Sequence, residues 1–283
     1  MEIGIDFKNI ISYNENMAKG LADKLFFLEK IHFNPEKYYL FVDFGCADGV
    51  LIDAMYNILN EKKIPAYFIG YDISETMIEL AKTKFNHFTN TVKFTSSWDE
   101  VEESIKRSTN MESVLILSSV IHEVYSYAEN NSDIDLFWER VLSSGFKYIC
   151  VRDMMCSKDI NRKPSEEICN GIKERCFLGS DMSKLKRSFE KKWCSEENIY
   201  YNLKYIIHFL LKYRWTINWD REVNENYFPI YLDEFLRAFS DKYNISYFER
   251  FRVPFLEQCW KDEFNVEIED YTHIKTVFEL KKN

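Results

Sequence analysis

Two rhythms of apolar positions run along this chain, and each marks out its own kind of element. Between residues 14 and 31, Met17, Leu21, Leu25, Leu28 and Ile31 recur every three or four positions, the stripe of an amphipathic helix, so a helical lead-in is expected. From residue 39 the pattern changes. The run Tyr39-Leu40-Phe41-Val42-Asp43-Phe44 is almost continuously apolar, as in a strand covered on both faces of a parallel sheet. Leu51, Ala54, Met55 and Ile58 return to helical spacing. A second strand is predicted at 67–72, and Ser74 behind it is a favourable N-cap for a helix carrying Met77, Ile78, Ala81 and Phe85. Shorter apolar runs predict strands at 92–95, 114–117 and 148–151, with a helix over 134–142.

After residue 154 the alternation stops for about 75 residues, a length that domain folds of this kind accommodate as an insertion. Helical segments are predicted near 165–177, 181–193 and 196–214, the last striped by Ile199, Leu203, Ile206, Leu210 and Tyr213. The rhythm resumes with a helix at 232–239 and strands at 245–253 and 273–280, which a short connection favours as an antiparallel pair at the sheet edge. The fold class is therefore α/β, a doubly wound and mostly parallel seven-stranded sheet. Four segments follow: a lead-in at 1–37, a ligand-binding core at 38–155, a helical insertion or lid at 156–228, and completion of the core sheet at 229–283.

Composition narrows the class of function. The chain has 283 residues, 46% apolar and 17% aromatic, enough for one large core. No apolar run approaches the ~18 residues of a membrane span, and the N-terminus lacks a signal-peptide pattern, so a cytoplasmic protein with no membrane partner is expected. Seven scattered cysteines with no Cys-x-x-Cys pair predict reduced thiols and no metal site. The net charge of −9 argues against a surface that grips nucleic acid all over, but residues 157–215 carry thirteen Lys/Arg against eight Asp/Glu. A basic segment sits on an acidic body.

The strongest chemical signal is Asp43-Phe44-Gly45-Cys46-Ala47-Asp48-Gly49, where the first strand turns into the first helix. Glycine lets the backbone approach a ligand, and the helix start supplies free N–H donors. The second strand ends in Asp72, a carboxylate suited to accepting hydrogen bonds from two vicinal ribose hydroxyls. A dinucleotide site fits less well. The third glycine of Gly-x-Gly-x-x-Gly is replaced by Asp48, whose charge repels a pyrophosphate.

Over residues 38–155 and the terminal strand pair, these features resemble the class I S-adenosylmethionine-dependent methyltransferases. Asp43, Gly45, Cys46, Ala47 and Gly49 match the first motif, with Ala47 in place of its middle glycine. The resemblance implies S-adenosylmethionine as cofactor, Asp72 on the ribose, Ile73 and Met77 on the adenine, and Ser97 and Trp98 at the adenine edge. Ser118 and Ser119 would lie beside the methionine part. His122 and Glu123 follow the fourth strand, where a histidine could take a proton from an attacking atom, and they are the catalytic candidates. The charged pair Arg152-Asp153 is expected just after the fifth strand.

The expected reaction is displacement at the sulfonium methyl by a polar small molecule. RNA is the alternative acceptor, through Lys184, Lys186, Arg187, Lys191, Lys192 and Trp193. Binding of the cofactor without catalysis is a third reading, and nothing in the sequence sets the oligomeric state.

Overall fold

The computed structural model describes residues 20–86, 91–194 and 198–282. Every residue of β1 (Tyr38–Phe44) after Tyr38 is buried, as its unbroken apolar run requires. β1 is central to a seven-stranded sheet of order β3-β2-β1-β4-β5-β7-β6. The other strands are β2 (Ala66–Tyr71), β3 (Val92–Thr95), β4 (Met111–Ser118), β5 (Tyr148–Met154), β6 (Tyr243–Phe251) and β7 (His273–Leu280). β1 to β5 pair in parallel, whereas β7 runs antiparallel to both β5 and β6. The sheet is therefore mixed. The last two strands do form the expected antiparallel edge pair, and the chain's last strand takes the inner place.

Alternate residues of β1 supply two cores. Leu40, Val42 and Phe44 pack in one with Phe137 and Val141 of α7 (Asn131–Ser143) and with Phe235 and Phe239 of α12 (Leu232–Phe239). Tyr39 and Phe41 face the other, with Ile52 and Met55 of α3 (Val50–Glu61) and Ile78 and Ala81 of α4 (Glu75–Lys84). Ser74 caps α4 as predicted, its hydroxyl accepting from the Met77 amide.

Four helices have no counterpart in the sequence reading, among them the single turn α11 (Trp219–Glu222). α5 (Trp98–Arg107) hides its apolar stripe, Trp98, Val101 and Ile105, among four acidic residues. α6 (Ile121–Tyr127) is barely two turns, and α13 (Pro254–Phe264) fills the β6–β7 connection. The described part of the lead-in is two short helices, α1 (Leu21–Lys24) and α2 (Phe27–Lys30), instead of one continuous stripe. Its earlier positions, including Met17, lie outside the described residues.

The insertion folds around its own apolar cluster. Ile172 of α8 (Glu166–Arg175), Phe189 of α9 (Asp181–Trp193) and Ile206, Phe209 and Leu210 of α10 (Leu203–Lys212) meet there. Trp219 of α11 (Trp219–Glu222) joins them, and so do Trp260 and Phe264 of α13. At Gly171 a Cβ would lie 2.2 Å from the Phe264 carbonyl oxygen, so only glycine lets α8 cross the end of α13 this closely. The β6–β7 connection thus belongs by packing to the insertion, and the two segments form one cap.

Candidate active site

The strand order leaves β1 between β2 and β4, so successive crossovers depart from it in opposite directions. In open α/β sheets the crevice at the carboxyl ends of such strands is where ligands enter. The loop after β1 is tied down there. The Gly45 and Cys46 amides both donate to the Tyr71 carbonyl, at 2.8 and 2.9 Å. Asp72 accepts from the Ala47 amide through one carboxylate oxygen and from the Ser74 amide through the other, each at 2.9 Å. Its carboxylate therefore fastens the first loop to the second. Burial raises its pKa, against the lowering effect of the two amides.

Gly45 has φ +76°, and a Cβ there would stand 2.8 Å from Val120 Cγ2. A side chain would be excluded on both counts. Ala47 also takes a left-handed conformation, at φ 46°. A glycine at this position would carry the lower conformational cost, so the alanine holds the loop's backbone shape under strain.

Lys24, Asp43, Gly45, Ala47, Asp48 and Ser118 line the cleft at this point. Asp43 is buried, and desolvation pushes its carboxyl up to about 7, with Asp72 adding to the rise and Lys24 opposing it. Burial pushes the Lys24 ammonium down to about 8, an effect that Arg152 reinforces. The Ser118 hydroxyl is buried without a hydrogen-bond partner in the described structure. An acid, an ammonium and an unsatisfied hydroxyl around one crevice match a ligand that carries both charges. Asp48, expected to repel phosphate, is paired with Lys84 at 2.8 Å, which blunts that repulsion.

The remaining cofactor candidates divide. Cys46 is buried, and burial pushes its thiol up. Ile73 is 87% exposed and free to cover a ring, whereas the Met77 side chain is buried. Ser97 stands at the start of α5, its amide bonded to the Thr95 hydroxyl. The Trp98 ring lies in the core against Phe44 and Tyr71, 3% exposed. Ser119 adopts φ 57°, with its amide on the Arg152 carbonyl and its hydroxyl on the Arg152 guanidinium. Arg152 and Asp153 lie within β5, not after it. Arg152 also holds Asp23 of α1 at 3.0 Å, bracing the lead-in over the crevice.

His122 and Glu123 open α6 beside this cleft. Asp153 anchors the start of that helix, accepting from the Ile121 amide at 2.8 Å and holding His122 Nδ1 at 2.8 Å. His122 Nε2 faces Glu225 Oε2 of the cap at 3.8 Å, and the ring packs edge-on against Tyr227. Burial opposes protonation of the ring, but the surrounding carboxylates, Asp153 foremost, outweigh it and leave the pKa raised. Burial also pushes Glu123 up to about 7. Arg221 bridges Glu123, at 2.8 Å, and Glu225, at 2.9 Å, and Glu225 further accepts from Tyr127. One ligand atom each from His122, Glu123 and Glu225 lies within 4.8 Å of the others, a spacing that suits a metal ion. The Arg221 guanidinium already neutralises both carboxylates.

Sequence reasoning missed Lys24, Arg221 and Glu225. Arg221 and Glu225 are an ordinary i,i+4 pair about 100 residues from His122, and nothing local distinguishes them. Three of the six RNA candidates are engaged in ion pairs or hydrogen bonds within the described structure. Lys184 pairs with Asp181, Lys186 pairs with Glu190, and the Trp193 indole donates to the Val223 carbonyl. Among the described residues no helix is long and apolar enough to cross a membrane.

No family model matches the chain, and no curated protein does. Among solved structures it is similar to a SAM-dependent methyltransferase from Anabaena variabilis, at 10% identity over 98% of this chain and 96% of that one, with a TM-score of 0.47. It is also similar to the N-methyltransferase NodS from Bradyrhizobium japonicum, at 6% identity over 98% of this chain and 100% of that one, with a TM-score of 0.42. PKMT2 from Rickettsia typhi in complex with AdoHcy is 16% identical, with a TM-score of 0.45, over 86% of this chain and 49% of that chain, about half its length. Likeness at this level leaves function to the chemistry of the site.

Proposed function

We propose that this chain is an S-adenosylmethionine-dependent methyltransferase acting on a polar small molecule. The observation that carries the reading is the cleft at the β1–β4 crevice, where a loop pinned by Asp72 adjoins Asp43, Lys24 and the unsatisfied Ser118 hydroxyl. The residues fit the cofactor. Asp72 and Ile73 would take the nucleoside, Asp43 the ammonium, and Lys24 with Ser118 the carboxylate. The cofactor supplies a methyl group on a cationic sulfur, and the protein's part is to orient the acceptor and receive its proton. Asp153 fixes His122 Nδ1, which leaves Nε2 as the working atom when the ring is neutral. Glu225 and Arg221 bring the cap to the same place, so the cap would choose the acceptor.

Calorimetry with S-adenosylmethionine, S-adenosylhomocysteine and NAD tests the reading. Binding of the first two is expected. NAD binding without either would overturn it. Because Asp43 is held near 7, a bound ammonium favours its ionised form, and binding near pH 6.5 should release a proton. The measured enthalpy should then change with the buffer's ionisation heat, and Asp43→Asn should abolish that dependence. A second reading, cofactor binding without methyl transfer, is favoured by the burial of His122 beneath Glu225 and Tyr227. Methyl transfer to any small acceptor would exclude it.

A further inference from the structure

The cap carries a second cavity outside the site described above, between α8 and α9, and its composition differs from that of the crevice. Lys173, Lys186 and Arg187 line it, with Tyr200 and the turn residues Phe177 and Leu178. The Lys173 and Lys186 ammonium groups each stand 5.3 Å from the centroid of the Tyr200 ring. Two like charges are thus held on one aromatic ring, and Glu190 answers only Lys186 among the pairs described. From residue 173 to 192 the chain has seven basic and three acidic residues, although the protein as a whole carries −9.

The rim of the cavity is apolar. Phe177 is 62% exposed and Leu178 85% exposed, neighbours on the turn between the two helices. Gly179 behind them has φ +92°, the left-handed bend that throws the turn outward. A soluble anion would be served by the cations alone and has no use for two exposed apolar side chains. RNA would use an aromatic ring but not Leu178. The two features together match a surface that is anionic at its face and apolar beneath it. We infer that the α8–α9 turn docks the protein on an anionic lipid surface, with Phe177 and Leu178 entering the headgroup boundary and the exposed Lys173 and Arg187 meeting lipid phosphates.

This contact requires no spanning segment, so it is compatible with the absence of a membrane-crossing helix among the described residues. The proposal concerns a peripheral contact alone. Charge also sets the orientation. An acidic body is repelled by an anionic surface and the basic turn is attracted, which presents this face alone.

The test uses the full chain with sedimenting vesicles of phosphatidylcholine alone or containing 40% phosphatidylglycerol, at low and moderate salt. Binding to the anionic vesicles should exceed binding to neutral ones at least tenfold and should weaken as salt rises. Phe177→Ser with Leu178→Ser should reduce it about tenfold or more. Both side chains are exposed, so the fold should survive, and circular dichroism checks this. In a Phe177→Trp variant, anionic vesicles should shift the added indole emission to the blue, a direct sign of insertion. Equal binding to both vesicle types, or a serine double variant that binds like the wild type, would overturn the proposal. So would retention of single-stranded RNA with no vesicle binding, or release of bound protein by inorganic phosphate far beyond that by chloride at equal ionic strength.

Discussion

The two halves of the site are built in opposite ways. On the side proposed for the methyl donor, Asp43, the 45–49 loop, Asp72 and Ser118 all lie at the ends of adjacent parallel strands, and backbone amides fasten the loop to the end of β2. On the side proposed for the acceptor, His122 and Glu123 of the sheet domain meet Arg221 and Glu225 of the cap through side-chain ion pairs across about 100 residues of chain. Short-range backbone anchoring builds the first half from neighbouring strand ends. Long-range side-chain pairing makes the second half depend on the seating of the cap.

The sharpest separation of the halves should come from His122→Ala. Turnover is expected to fall ~10²–10⁴-fold while cofactor affinity holds, the range for removal of a positioned proton acceptor. The pH profile adds a sign. A proton acceptor must be neutral, and the His122 pKa is raised, so under this proposal the wild-type rate should fall with acidification at a pH above the ordinary histidine value. A well-folded His122→Ala protein with near-normal turnover would break the comparison at its centre.

Next in size is Asp72→Ala, which should weaken cofactor binding by ~2–3 kcal/mol, the loss of charge-assisted hydrogen bonds. The structure adds a stability cost, because the Ala47 and Ser74 amides both lose their acceptor. A thermal melt that fails to move would mean that the loop is held without this carboxylate. Arg221→Ala should cost ~2 kcal/mol of stability by leaving Glu123 and the buried Glu225 without their shared cation. It should lower turnover and spare cofactor affinity, and a fall in affinity as large as that of Asp72→Ala would show that the halves are not separable. The smallest effect is expected from Ala47→Gly, a gain of ~1 kcal/mol or less from relief of the left-handed alanine, read as a higher melting temperature.

Much of the donor half was legible because its parts are local. A glycine loop after an apolar strand and an acid at the end of the next strand are sequence neighbours of the elements that position them. Trp98 shows the limit. Its place after β3 pointed to the ligand, but α5 begins there and turns the ring into the core beside Phe44 and Tyr71. The acid-rich run that follows masked the stripe that would have marked the helix. The same masking of tertiary partners explains Arg152, whose contacts with Asp23 and Ser119 join the lead-in, β5 and the β4 turn.

By itself the sequence determined the α/β class, the seven strands, and the Gly45–Gly49 loop with its paired Asp72. Periodicity and turn chemistry act within a few residues, and these features need nothing more. Only the tertiary structure decided that β7 lies inside β6, that α13 packs with the insertion as one cap, and that Lys24 lines the crevice. It alone also brought Glu225 and Arg221 to His122 and Glu123. These contacts join segments far apart in the chain, where the choice of partner depends on which surfaces the whole fold leaves facing one another.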